Sequence, residues 1–415
     1  MPSFQATAAF LGALLIIGAL ASGLAQRSFL SLAALFVLAG FLVGDGGLEL
    51  VSFHAQSGFV EDLAFVALIV ILFRDGLEVE GEMLQRAWHV PLRKLAIAMP
   101  LTAGIIAVAA HLLVKLSWTE SLLLGALLSP TDPVLTSNIV TNPRVPRLVR
   151  HSLNLESGLN DGLALPAVLT FLAALSSESQ NFVWWRFVLQ DVGLGFLYGL
   201  VIGYLSSLLM PREHKRPLEH PIPAHQKSLY ALGVAFATYG VTVLSPRGNG
   251  FIAVFVAAIV LGVRRPDLRR HFEQRADDLV EIVKLGIFVV FGSLLTLDAL
   301  ESSGWAALGL VAATFLIARP LAVWIALIGT DTDNQTRLFM GWFGPKGVAT
   351  MTFSLLVLDQ HIASGQRIFD LTALVVFCSI VLHGLSDTPG ANWIARHAER
   401  TARRNADPGR SAVNQ

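Results

Sequence analysis

Ser129–Asp161 reads SPTDPVLTSNIVTNPRVPRLVRHSLNLESGLND and sets Asp132, Glu156 and Asp161 beside two long apolar runs. An ionisable group in the hydrocarbon layer costs at least ~2.5 kcal/mol even on lenient insertion scales, so an acid kept there is a functional candidate. Pro130 and Pro133 bracket Thr131 and Asp132. Each proline removes a backbone donor and frees the carbonyl four residues earlier. Freed carbonyls at membrane depth must be buried in protein or line a wet cavity, so SPTDP is expected to be unwound, with a simple proline kink as the plainer alternative. An unwound segment there offers main-chain oxygens to a cation. Asn142–Arg150 reads as a basic turn, so Asp132 and Asp161 return to mid-membrane on antiparallel helices and can meet. Beyond the turn, Ser157 and Asp161 are four residues apart and share a helix face, while Glu156 and Asn160 make a second stripe about 100° around. The first stripe is expected to complete an ion site. The second needs a buried cation, for which Arg319, directly before Pro320, is the candidate, because either charge left unpaired would be severely penalised.

Composition agrees with that setting. Of 415 residues, 54% are hydrophobic and 14% charged, with a mean hydropathy of +0.62, whereas charged residues make up about a quarter of a soluble domain. The chain reads as an all-α polytopic membrane protein. Basic and acidic residues number 30 each, so no bulk attraction to nucleic acid follows. The lone Cys378 excludes an internal disulfide and reads as a small buried hydrophobe. Runs long enough to span a bilayer number about 13. They lie near 4–25, 28–44, 58–74, 92–115, 119–141, 147–175, 184–210, 227–245, 248–264, 279–297, 300–328, 335–358 and 367–389. The first lacks a basic start and exceeds a signal-peptide core, so it is kept as a span.

Lysine and arginine set the orientation. With the N-terminus outside, the inside connections gather Arg86, Arg93, Lys94, Arg144, Arg147, Arg150 and the cluster from Arg264 to Arg275, and the tail adds Arg396, Arg400, Arg403 and Arg404. The outside connections hold only Lys115, Arg186, Arg247 and Arg367, while Lys284, Arg319 and Lys346 fall within spans. A cell (inner) membrane location with a cytoplasmic C-terminus follows. The connection Pro211–Gln226 reads as an irregular linker, and the basic tail 391–415 as an anchor near anionic lipid.

A second interruption lies in span 12, where GWFGPKGVAT puts Pro345 and Lys346 between Gly344 and Gly347. Paired broken spans at corresponding places point to a transporter built from inverted repeats. Spans 1–6 and 8–13 would be the two repeats of six, with span 7 as the link, and spans 5 and 12 are each fifth in their half. Other polar residues have ordinary readings. Lys284 reads as a partner of Glu281 at i, i+3, with a role in the cavity as the alternative. Asp75, Glu78, Glu80 and Glu82 read as a solvated inner face, or as an acidic funnel. His111, His151 and His383 could titrate near neutral pH.

TDP (Thr131–Pro133) followed about 25 residues later by ESGLND (Glu156–Asp161), with ARP in span 11 and GWFGPKG in span 12, resembles the prokaryotic sodium/proton exchanger family, the monovalent cation:proton antiporter-1 group. The resemblance covers the chain to about residue 390. It implies a homodimer with a moving core (about 92–175 and 300–389) and a dimer scaffold (about 4–74 and 227–297) joined by a linking span (about 184–210). It also implies a cation held by Thr131 through its main chain, Asp132, Ser157 and Asp161, and a core held together by Asn160, Glu156 and Arg319. Position 346 is lysine where the family usually has arginine, which keeps the charge and loses the planar fork. Pro130 stands where relatives commonly have a small residue.

Carboxylate, hydroxyl and main-chain oxygens suit a hard monovalent cation. If proton and cation compete for Asp161 and the protein crosses only when Asp161 is occupied, exchange follows. Asn160 cannot ionise, so one proton per cation and an electroneutral cycle are expected. The expected cargo is Na+, with Li+ also considered and K+/H+ exchange as the alternative. A cation channel would need a continuous pore with filter glycines. An intramembrane aspartyl protease would need Asp132 and Asp161 as a dyad, which the TDP and ND context disfavours. No cofactor motif is present; the expected partners are monovalent cations, protons and membrane lipid.

Overall fold

Helix occupies the apolar runs from residue 32 onward, and no strand occurs among the described residues. The computed structural model describes residues 32–50, 57–79, 89–132, 136–176, 183–211, 222–244, 248–296, 304–360 and 362–406, with isolated positions at 9, 12, 13, 16 and 53. The expected first span, 4–25, lies almost wholly outside the described residues, as do Pro133, Glu80, Glu82 and most of the 211–226 linker.

The helices are α1 (Leu32–Val43), α2 (Gly58–Glu78), α3 (His89–Val114), α4 (Trp118–Leu128), α5 (Ser137–Thr141) and α6 (Arg147–Leu175). There follow α7 (Trp184–Leu209), α8 (Ala224–Leu244), α9 (Gly250–Arg264) and α10 (Pro266–Ser293). The last are α11 (Gly304–Ala326), α12 (Asn334–Trp342), α13 (Val348–Asp359) and α14 (Gly365–Ala406). Among the described residues, α3, α6, α7, α8, α11 and the Gly365–Thr401 part of α14 are long and apolar enough to cross a membrane, and α4, α9 and α13 are shorter apolar helices.

Two helices outrun their apolar runs. α10 begins well before 279, with Pro266 in its first turn. There the missing proline N–H is no loss, because the first helical donors have no intrahelical partner. Leu268 and Phe272 are buried beneath this charged segment. Arg265 bonds to the Ser207 and Pro211 carbonyls and to Asp267, tying the start of α10 to the end of α7. α14 continues past Pro389, beyond the apolar run that ends near 389. One lost donor there is outweighed by packing: Ala391 and Ile394 are buried in a cluster with Phe339 and Phe343, and Trp393 stacks on Phe339 at 6.0 Å.

Close helix approach here depends on small residues, since lipid supplies no hydrophobic push between helices. The buried face of α7 is Gly195, Gly199, Gly203, Ser206 and Ser207. A Cβ at Gly199 would stand 2.6 Å from the Ala253 carbonyl oxygen of α9. α9 in turn packs on α2, and α2 on α6, α10 and α13. That chain of contacts brings α2, α6, α10 and α13 around one point.

Candidate ion-binding site at two broken helices

Both expected breaks are present. α4 ends at Leu128 and α5 begins at Ser137, with Ser129–Asp132 outside helix. α12 ends at Trp342 and α13 begins at Val348. The two unwound segments cross, and the Asp132 amide donates to the Pro345 carbonyl at 2.8 Å. Helix ends carry partial charges, positive at the N-terminus and negative at the C-terminus, and the crossing answers both. Asp132 Oδ2 accepts from the Val348 amide at the start of α13 (3.2 Å). Lys346 Nζ donates to the Pro130 and Ser129 carbonyls just past the end of α4 (3.2 and 3.5 Å). A lysine therefore serves at this position by placing a point charge on main-chain oxygens; the fork of an arginine is not used. Glycine is required beside both groups. A Cβ at Gly347 would overlap the Asp132 side chain, and one at Gly344 would overlap the Arg319 guanidinium.

The two stripes of α6 separate as their spacing suggests. Ser157 and Asp161 line a cavity of about 80 Å³, room for a cation with part of its water shell. Glu156 and Asn160 turn into protein. Asn160 Nδ2 donates to the Thr131 carbonyl and hydroxyl at 2.8 and 3.0 Å, bracing the unwound segment. Arg319 grips Glu156 through two bonds of 2.9 and 3.1 Å and also reaches the Met340 and Phe343 carbonyls at the end of α12.

Of the four residues expected around a cation, Asp132, Ser157 and Asp161 line the cavity and Thr131 does not. The Thr131 carbonyl is taken by Asn160, because the turn of the unwound chain that offers Asp132 to α13 points this oxygen at the second stripe of α6. A carbonyl keeps a second lone pair. Asp161 is 6% exposed, and its Oδ1 has no hydrogen-bond partner among the described residues. A buried carboxylate oxygen left unpartnered at a cavity calls for a proton or a cation.

Three charged groups stand elsewhere than their local sequence suggests. Asp75, read as part of a solvated face, is inside α2 and lines the same cavity as Asp161. Two carboxyls on one small cavity repel when both are bare, so the pair is suited to sharing one positive charge. Lys284 lines the same cavity from α10, so the pairing with Glu281 gives way to the cavity reading. Lys94, counted among the inside anchors, is fully buried and pairs with Glu156, so that this acid is held by two cations. A signal was available for Asp75: it stands two residues past an uninterrupted apolar run that ends at Phe73, so one more helical turn keeps it at depth. Lys94 has no such mark, being next to Arg93 at a span edge.

The sodium/hydrogen exchanger transmembrane family matches residues 12–393. The chain is 27% identical over 399 residues to the K(+)/H(+) antiporter NhaP of Alkalimonas amylolytica, a stretch covering 95% of this chain and 68% of that protein. It is 27% identical over 390 residues to the K(+)/H(+) antiporter NhaP2 of Shewanella oneidensis, covering 92% and 66% respectively. It thus spans about two thirds of the length of these relatives. In fold it resembles the sodium proton antiporter MjNhaP1 from Methanocaldococcus jannaschii, with a TM-score of 0.78 at 20% identity, covering 95% of this chain and 100% of that one.

Proposed function

Since the chain belongs to the sodium/hydrogen exchanger family, a family of membrane-embedded cation/proton antiporters and not of enzymes, we propose that it exchanges Na+ for H+, one for one, at Asp161. The observation that carries this reading is the buried, unpartnered Asp161 Oδ1 at the cavity wall. Proton and cation compete for that carboxylate, and crossing occurs only with one of them aboard. Asp132 and Ser157 add oxygens beside it, and the free lone pair of the Thr131 carbonyl completes the set. Glu156 with Arg319 and Lys94, Asn160 with Thr131, and Lys346 with the α4 carbonyls hold the crossing in shape and carry no cargo. A core of about 92–175 and 300–389 moves against a scaffold of about 4–74 and 227–297 in a homodimer of the cell membrane, N-terminus outside and C-terminus cytoplasmic. Alternating access needs nothing further.

K+ in place of Na+ is the second reading, favoured by the relatives described as potassium/proton antiporters. Purified protein in proteoliposomes, loaded with a pH-sensitive dye and offered Na+, Li+ or K+, separates the two. Asp161→Asn is expected to abolish cation-driven proton movement with each ion; exchange that survives it would overturn the site.

A further inference from the structure

Lys284 lines the cavity from α10 but is not held as the neighbouring buried cations are. Lys94 and Arg319 are paired with Glu156, and Lys346 with main-chain carbonyls. Lys284, only 5% exposed, has no carboxylate within 4.0 Å among the described residues. It faces Asp75 and Asp161 across the cavity. An ammonium at the cavity wall with no carboxylate in contact among the described residues lacks a local counter-charge, so its counter-charge is the cargo site itself.

Counting the charges around that site gives the ammonium a purpose. The groups are Arg74, Asp75 and Glu78 on α2, Asp132 at the break after α4, Asp161 on α6 and Lys284 on α10; α13 contributes Val348 and no charge. Arg74 lies 3.5 Å from Asp75 but 2.6 Å from Glu78, its closer partner. Asp132 is offset only in part by the N-terminus of α13, which carries about half a charge. Asp75, Asp132, Asp161 and Lys284 remain, and the ammonium lowers their excess of negative charge by one, which weakens the pull on a divalent cation more than on a monovalent one.

We propose that Lys284 is a valence filter, a fixed charge that fits the site to one proton or one monovalent cation and turns away divalent cations. This rests on the reading of Asp161 as the cargo site. Repulsion from a fixed ammonium scales with the charge of the ion it faces. Removing it should tighten monovalent binding roughly tenfold and divalent binding by the square of that, roughly a hundredfold. Without it, carboxylates from Asp75, Asp132 and Asp161 with the Ser157 hydroxyl form an oxygen set of the kind Ca2+ takes.

The test is calcium binding to the purified full chain, read as the calcium-induced rise in melting temperature and as calcium inhibition of exchange in proteoliposomes. Lys284→Met is expected to respond at calcium concentrations roughly a hundredfold below those needed by the wild type. Lys284→Gln should do the same and stands in if the methionine variant does not fold. Lys284→Arg keeps the charge and should keep the wild type's resistance. The filter is overturned if a folded methionine or glutamine variant responds to calcium no more than the wild type, or if the arginine variant responds as they do. Asp161→Asn run alongside separates the two readings. Exchange that survives it removes the cargo site itself; exchange lost, with no calcium response gained in Lys284→Met, removes the valence filter alone.

Discussion

At the scale of the residue, the site is organised by which charges are satisfied and which are left for cargo. Glu156 is satisfied twice, by the planar fork of Arg319 and by the ammonium of Lys94. Removing one partner of a buried pair leaves an uncompensated charge, which costs about 3–5 kcal/mol. Arg319→Met leaves Glu156 with Lys94 alone and strips the Met340 and Phe343 carbonyls of their donor, so it should lower the stability of the purified protein by the lower end of that range, about 3 kcal/mol, in a denaturation series. Lys94→Met should cost clearly less, because the two-bond pair remains; equal losses would refute the division of labour. The Arg319 pairing is legible in sequence because a charge inside a long apolar run must find an opposite charge at depth, and Glu156 sits on the stripe turned away from Asp161. Lys94 is not legible in that way. It stands at a span edge, where a lipid-facing charge and a buried one look alike, and only the tertiary packing of α3 on α6 decides.

At the scale of the element, the prolines and glycines of the two breaks are readable, because their effects on backbone donors and close approach are local. What crosses what is not. Nothing in SPTDP names the Pro345 carbonyl as the partner of the Asp132 amide. The extended helices α10 and α14 also escape a hydropathy reading, since their added turns are amphipathic and held by contacts distant in sequence. One such contact joins the tail to the broken helix. Asp333 caps α12 through the Gln335 and Thr336 amides and pairs with His397 of α14. Partial burial acts to raise its carboxyl, but the Thr336 amide and hydroxyl, His397 and the Gln335 amide together hold it below the ordinary 3.8. A depressed acid contributes stability that is fully present above its unfolded value and fades as the pH falls through its folded one. Asp333→Ala should thus cost about 1 kcal/mol at neutral pH. The gap between variant and wild type should close only as the pH drops below 3.8.

At the scale of the whole molecule, exchange depends on what charge the moving part carries in each direction. The charges that stay matched, Glu156 with Arg319 and Lys94, and Asp132 with the start of α13, are the same whether proton or cation is aboard. Asn160 is occupied in bracing Thr131 and cannot take up a proton. On the proposed reading Asp161 is the group whose partner changes, H+ one way and a monovalent cation the other, and the core would carry equal charge on both crossings. A transmembrane potential acts on displaced charge at about 2.3 kcal/mol per elementary charge per 100 mV. With equal charge out and back, that work cancels over the cycle. In proteoliposomes clamped with potassium and valinomycin and driven by a sodium gradient, the final pH difference should be the same at zero and at −100 mV, and the sodium gradient should be balanced by an equal and opposite proton gradient. Where the dye assay shows no K+/H+ exchange, a steady state that moves with the imposed potential would mean that a second group is protonated during the cycle. Asp75, lining the same cavity as Asp161, is the group that a repeat with Asp75→Asn would then convict or clear.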